Sequence, residues 1–191
     1  MKTSRPITAP RRADAQRNVE HILDTARAAL AADPGASLQR IAAASGLHRA
    51  TVYRHFENRE NLIRAIHERF VEQMREASME VDSEASDPVG ELRSFSKRSL
   101  EIGLRFSPYG YAPLFPVEDA ERRRARRAPV VALLRHGQER GVFRTDLDAE
   151  AVAGLWGVTL PFVLSQISIS GWTREQAVAF MVSVPLAPAA L

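Results

Sequence analysis

Apolar residues recur along this chain at the period of a helix, and no segment shows the alternation of a strand. Val19, Ile22, Leu23, Ala26 and Leu30 form one stripe across residues 14–32. Asp33-Pro34-Gly35 stops that helix sharply. Ser37 is a good N-cap for a short helix with Leu38, Ile41, Ala42 and Ala44 on its apolar side. Gly46 supplies the turn, and Leu47, Val52 and Phe56 form the inner side of a second short helix. Asn58 caps a longer helix whose Leu62, Ile66, Phe70 and Met74 repeat every four residues.

The remaining pattern is also helical. Residues 81–88 are acidic and small and read as a linker. Val89, Leu92, Phe95, Ser96, Ser99, Ile102, Gly103 and Phe106 mark the next helix, broken by the Pro- and Gly-containing stretch from Ser107 to Pro113. A helix over about 118–140 is stopped by Gly141, and Pro129 inside it predicts a kink or a split. Asp148 caps one continuous helix to about Ser170, before Gly171. Thr173-Arg174-Glu175-Gln176 is a capping box for the last helix, which ends before Pro185. The expected fold class is all-α.

Long helix, two short helices, long helix is the order of a helix-turn-helix domain. Once the apolar positions are assigned inward, the second short helix presents His48, Arg49, Ala50, Thr51, Tyr53, Arg54 and His55 outward. The major groove of DNA admits one helix, whose first residues meet base edges. Charge supports this reading. Residues 1–59 carry ten Lys and Arg against five Asp and Glu, whereas residues 60–191 carry sixteen against eighteen. The formal net charge of +3 conceals that asymmetry.

Residues 15–75 resemble the DNA-binding domain of the tetracycline-repressor (TetR) family. The resemblance rests on Ile22-Leu23-Asp24-Thr25-Ala26, Ile41-Ala42-Ala43-Ala44-Ser45-Gly46-Leu47, Thr51-Val52-Tyr53-Arg54-His55-Phe56 and Asn58-Arg59-Glu60-Asn61-Leu62. It implies a phosphate contact for Tyr53, with Thr51 on the same surface. It places His48, Arg49 and Ala50 at base-reading positions and Arg59 at a phosphate at the start of the fourth helix. Ser37, Arg54 and His55 complete the candidate DNA-binding set. The expected organisation is a disordered basic arm over 1–13, the DNA-binding domain over 14–60, and a helical ligand-binding and dimerisation domain over 61–191.

The segment from Asp148 to Ser170 is apolar around its whole circumference, which demands burial on every side. A second subunit supplies the outer side most easily, and the resemblance implies a four-helix dimer interface built from the last two long helices. Trp156, Phe162, Phe180 and Met181 are expected at or near it. Phe95, Ser99, Phe106, Tyr109, Tyr111, Phe115, His136 and Trp156 are the candidate ligand-binding residues: mostly apolar, with a few polar groups. An apolar or aromatic effector fits them better than a highly charged one. The run Arg122-Arg123-Arg124 with Arg126-Arg127 reads as a solvated helix face balanced by Glu118, Asp119 and Glu121.

Composition narrows the function further. The chain has no cysteine, which suits a reducing cytoplasm and excludes thiolate chemistry. The first dozen residues lack the apolar core of a signal peptide, and the apolar run Ala151–Leu164 is too short to span a bilayer. No zinc-protease, phosphate-loop or nucleophile-elbow motif appears, so no enzyme activity, metal or cofactor is expected. The expected function is a cytoplasmic, homodimeric regulator of TetR type, a repressor acting on a palindromic operator in double-stranded DNA, released by a small molecule, with no membrane partner. The competing reading is a helical ligand- or partner-binding module whose helix-turn-helix only packs; it predicts no basic bias in the N-terminal third.

Overall fold

The computed structural model of the protein describes residues 9–106 and 120–186. Those residues form nine helices: α1 (Ala9–Ala32), α2 (Leu38–Ala44), α3 (Arg49–His55), α4 (Arg59–Met79), α5 (Pro88–Phe106), α6 (Ala120–Glu139), α7 (Ala149–Gly157), α8 (Thr159–Ser170) and α9 (Arg174–Ser183). Extended pairing among the described residues amounts to an isolated bridge between Phe143 and Leu186. The chain is all-α. Two compact units divide at 67/68, within α4.

The first unit packs α1, α2, α3 and the start of α4 around Ile22, Ala26, Leu30, Ile41, Val52, Leu62 and Ile66, none more than 1% exposed. These are the positions that the helical period assigned inward. The caps also form as their side chains dictate. Ser37 Oγ accepts from Arg40 N at 3.2 Å and Asn58 Oδ1 from Asn61 N at 2.8 Å. Gly46 adopts φ +67°, a conformation costly for any residue with a Cβ. Helix α1 begins at Ala9, inside the stretch expected to be a disordered arm.

In the second unit α5 packs on α6, α8 and α9, α6 on α7, and α8 on α9. Phe95, Leu100, Leu133, Leu134, Val152, Val163 and Met181 are buried between them. The capping box at Thr173 and Gln176 forms in full, and Asp148 Oδ1 accepts from Ala151 N at 2.7 Å.

The split allowed for at Pro129 does not occur, and the single helix expected over Asp148–Ser170 does not hold. Helix α6 is one element with Pro129 inside it, not two. The apolar segment expected to be one helix is broken at Val158 into α7 and α8. Pro161 explains the break: it has no N–H for the Gly157 carbonyl, and its ring crowds that carbonyl. The Thr159 hydroxyl instead donates to Trp156 O at 2.7 Å.

Residues Ala149–Ser170 are, by length and composition, sufficient to cross a membrane. The run counted from Ala151 to Leu164 was therefore too narrow a window. Here, however, the segment is bent, and Val152, Ala153, Trp156, Leu160, Val163 and Leu164 are buried among the other helices of the unit.

Candidate nucleic-acid interface and internal cavity

The turn between α2 and α3 is fixed from several directions. Ser45 Oγ donates to Ala42 O at 2.8 Å and accepts from Leu47 N at 3.3 Å. His21 on α1 places Nε2 at 2.8 Å from Ser45 O and so braces the turn. His48 is the N-cap of α3, its Nδ1 accepting from Ala50 N at 3.2 Å. That bond assigns the ring proton to Nε2 when the ring is neutral.

On α3 the side chains of Arg49, Ala50 and Arg54 are exposed, as is His48 before them, while Thr51 and Tyr53 are half-exposed. The Arg49 guanidinium lies over the Tyr53 ring, 5.0 Å from its centroid. One helical turn separates the two residues, so the stack holds the arginine along the outer face. Val52 points fully inward. His55 is only half-exposed and its Nε2 is shut off from solvent, which removes that nitrogen from the outer face.

Arg59 has an occupation that its position in the sequence did not announce. Its Nε donates to Ala36 O at 3.1 Å and its Nη2 to Pro34 O at 2.6 Å. The expected phosphate ligand is thus committed to the α1–α2 connection, where it satisfies carbonyls at the start of the helix-turn-helix. Ser37 spends its hydroxyl on the α2 cap while remaining exposed.

The second unit contains a cavity of about 140 Å³ lined by Phe70, Met74, Ser78, Phe95, Arg126, Arg127, Val130, Ala153, Trp156, Gly157, Leu160 and Pro161. Phe95 and Trp156 are stacked on its wall with centroids 5.0 Å apart. Of the candidate ligand-binding residues, these two reach the cavity. Ser99 and Phe106 are buried but do not line it, and Phe106 meets Phe70 edge-on at 5.6 Å. His136 does not line it either, though its Nε2 is buried without a hydrogen bond. Tyr109, Tyr111 and Phe115 lie outside the described residues.

Three corrections follow. Arg126 and Arg127 do not belong to a wholly solvated face: both are half-buried and line the cavity. Trp156 is 6% exposed and Met181 is fully buried within the single chain, so neither is left for a subunit contact. Phe70, Met74, Leu160 and Pro161, read only as packing or not singled out, form much of the wall. Their helical period signalled burial but not what they were buried against.

The outward apolar surface lies nearby in sequence. Leu155, Val158, Phe162 and Ile169 are 43, 63, 42 and 80% exposed. Phe162, Trp172 and Phe180 form an aromatic cluster with centroid separations of 5.1–5.9 Å. The carboxyls held below their ordinary range lie on the surface, not at the cavity or on α3. The Arg75 guanidinium bonds Glu72, and the Arg144 guanidinium bonds Asp146.

Residues 22–66 match the bacterial regulatory proteins of the tetR family. The chain is 38% identical over 89 residues to the transcriptional repressor LfrR of Mycolicibacterium smegmatis, a match covering 46% of this chain and 47% of LfrR. It therefore spans about half the length of that curated relative. It is 27% identical over 148 residues to the transcriptional regulator NfxB of Pseudomonas aeruginosa, covering 75% of this chain and 78% of NfxB. Among solved structures it is similar in fold to the regulator PfmR of Thermus thermophilus, with TM-score 0.69, 24% identity, and coverage of 86% of this chain and 96% of that one. It is similar also to LfrR in complex with proflavine, with TM-score 0.67, 23% identity, and coverage of 87 and 94%. The braced helix-turn-helix, the helical second unit and these likenesses agree: residues 22–66 are a DNA-binding module of the tetR type, and the chain as a whole shares the fold of TetR-like regulators.

Proposed function

We propose that this regulator is a cytoplasmic repressor that binds a palindromic operator as a homodimer and leaves it when a small molecule occupies the cavity of the second unit. The observation that carries the reading is the outer face of α3: a stacked Arg49–Tyr53 pair with Ala50 and Arg54 exposed beside it on a turn braced by His21, Ser45 and Arg59. A module using this helix only for packing has no need of that face.

Arg49, with His48 and Ala50, reads bases. Thr51, Tyr53 and Arg54 hold phosphates, and Ser37 and Arg59 fix the framework that presents them. The stack divides the two functions of Tyr53. Tyr53→Phe removes a hydroxyl and is expected to weaken operator and random DNA alike. Tyr53→Ala also releases Arg49 and should lower the ratio of operator to random-DNA affinity. Equal ratios for both variants in titrations at one salt concentration would sink the stacking role. Binding-site selection with the intact protein tests the whole reading, and the expected product is an inverted repeat. Selection of no common sequence would overturn it.

The homodimer uses the exposed apolar surface of α8 with its neighbours, not Trp156. Phe162→Arg places a charge in that contact and is expected to give a monomer by sedimentation at micromolar concentration, whereas the wild type sediments as a dimer. A monomeric wild type would exclude the dimer.

Release is coupled through α4. This 21-residue helix starts beside the helix-turn-helix and carries Phe70, Met74 and Ser78 to the cavity wall. Ser78 Oγ donates to Arg126 O at 2.6 Å, tying its far end to α6. An effector must bind the released conformation more tightly than the DNA-bound one, and only that difference shifts the equilibrium. LfrR, solved with proflavine, gives a precedent for a bound aromatic compound in a similar protein.

A further inference from the structure

We propose that the cavity takes a single-ring aromatic acid, with its ring against Phe95 and Trp156 and its carboxylate on the Arg127 guanidinium. The inference rests on the reading of the second unit as an effector domain and gives the effector a chemical class. Arg127 lines the apolar cavity and also an open groove of about 460 Å³ on the other side, shared with Arg123, Arg124, Arg135 and Glu150. A guanidinium in the wall of a mostly apolar cavity is a site for an anion and not for a cation.

Three features fit the ring and its acid together. The cavity volume, about 140 Å³, is that of a cavity which holds one benzene ring and not several, ~150 Å³. Gly157 leaves room for the arginine: a Cβ there would lie 2.9 Å from Arg127 Nη2. The absence of a side chain thus admits the guanidinium to the cavity wall. Trp156, which lines the cavity, has its Nε1 buried without a hydrogen-bond partner among the described residues. Burying a donor unpaired is unfavourable, and an acid oxygen inside the cavity would satisfy it. Arginine adds a planar fork that matches a carboxylate with two parallel bonds.

Benzoate, benzamide and benzamidine have the same ring and nearly the same shape, with charges of −1, 0 and +1. They serve as probes in calorimetric titration of the full-length protein. Benzoate is expected to bind at least tenfold more tightly than benzamide, and benzamidine more weakly than either. Arg127→Gln is expected to bring benzoate within about twofold of benzamide without changing benzamide affinity. Leu160→Trp, which fills the cavity, is expected to abolish all three. Benzamide or benzamidine binding as tightly as benzoate, with Leu160→Trp still blocking both, would overturn the acid class and leave the effector cavity standing. Binding unaffected by Leu160→Trp, or no binding of any probe to the wild type, would overturn the cavity assignment as well. Neither result touches the DNA-binding reading, which the site selection tests separately.

Discussion

Arg49→Ala is expected to lower operator affinity by about 2–6 kcal/mol per dimer, roughly thirtyfold to twenty-thousandfold. The range follows from about 1–3 kcal/mol for one arginine–guanine fork, counted once in each half-site. Affinity for random DNA should fall far less, because the phosphate contacts proposed for Tyr53 and Arg54 would remain. Arg54→Ala is the matched comparison: it removes an exposed charge from the last turn of α3 and should weaken all sequences similarly. Binding-site selection with Arg49→Ala should lose preference at one position per half-site. An unchanged selected sequence would transfer base reading to His48 and Ala50.

Gly137→Ala is expected to destabilise the protein by about 3 kcal/mol, at the upper end for overpacking, and to lower Tm by roughly 6–12 °C. A Cβ at Gly137 would overlap the ring of Phe143, which is 1% exposed. The ring has little freedom to retreat. Gly137 O accepts from Val142 N at 2.9 Å and from Phe143 N at 3.2 Å, and Arg144 N donates to Pro185 O at 2.9 Å. The control is Gly154→Ala in α7, where nothing lies within 4 Å of the added atom. That change should be neutral or stabilising by up to about 1 kcal/mol, because alanine is the better helix former. A thermal melt of Gly137→Ala within 1 °C of wild type would mean that Phe143 is not fixed as described.

The helix-turn-helix was legible because its determinants are local. Ser37, Gly46 and Asn58 act on residues within one turn of themselves, and the stripe Ile22–Ala26–Leu30 needs only the helical period. The capping residues Asp148 and Thr173 were legible for the same reason. The break at Val158 was also local, and Pro161 was the signal; the uninterrupted apolar composition around it hid that signal. What stayed illegible depends on distant partners. Arg59 bonds carbonyls 23 and 25 residues earlier, so its position beside a helix start suggested a phosphate instead. Arg127 meets Gly157 across two helices, and a run of arginines on α6 gives no sign of which one turns inward. Trp156 and Phe162 lie in the same apolar segment, yet one is buried on Phe95 and the other faces out. With apolar residues on all sides, no periodicity remained to separate them.

The two tryptophans of this chain are placed as separate optical reporters. Trp156 stacks on Phe95 in the cavity wall, whereas Trp172 belongs to the partly exposed cluster with Phe162 and Phe180. A Trp172→Phe protein therefore emits only from the cavity, and a Trp156→Phe protein only from the outward surface. Quenching in the first would register occupancy, and a spectral shift on dilution of the second would register dissociation of subunits. Since the chain contains no cysteine, an acceptor dye can be attached at one introduced thiol without removing any native residue. Occupancy, assembly and departure from DNA can then be followed in one sample, and their order in time read directly.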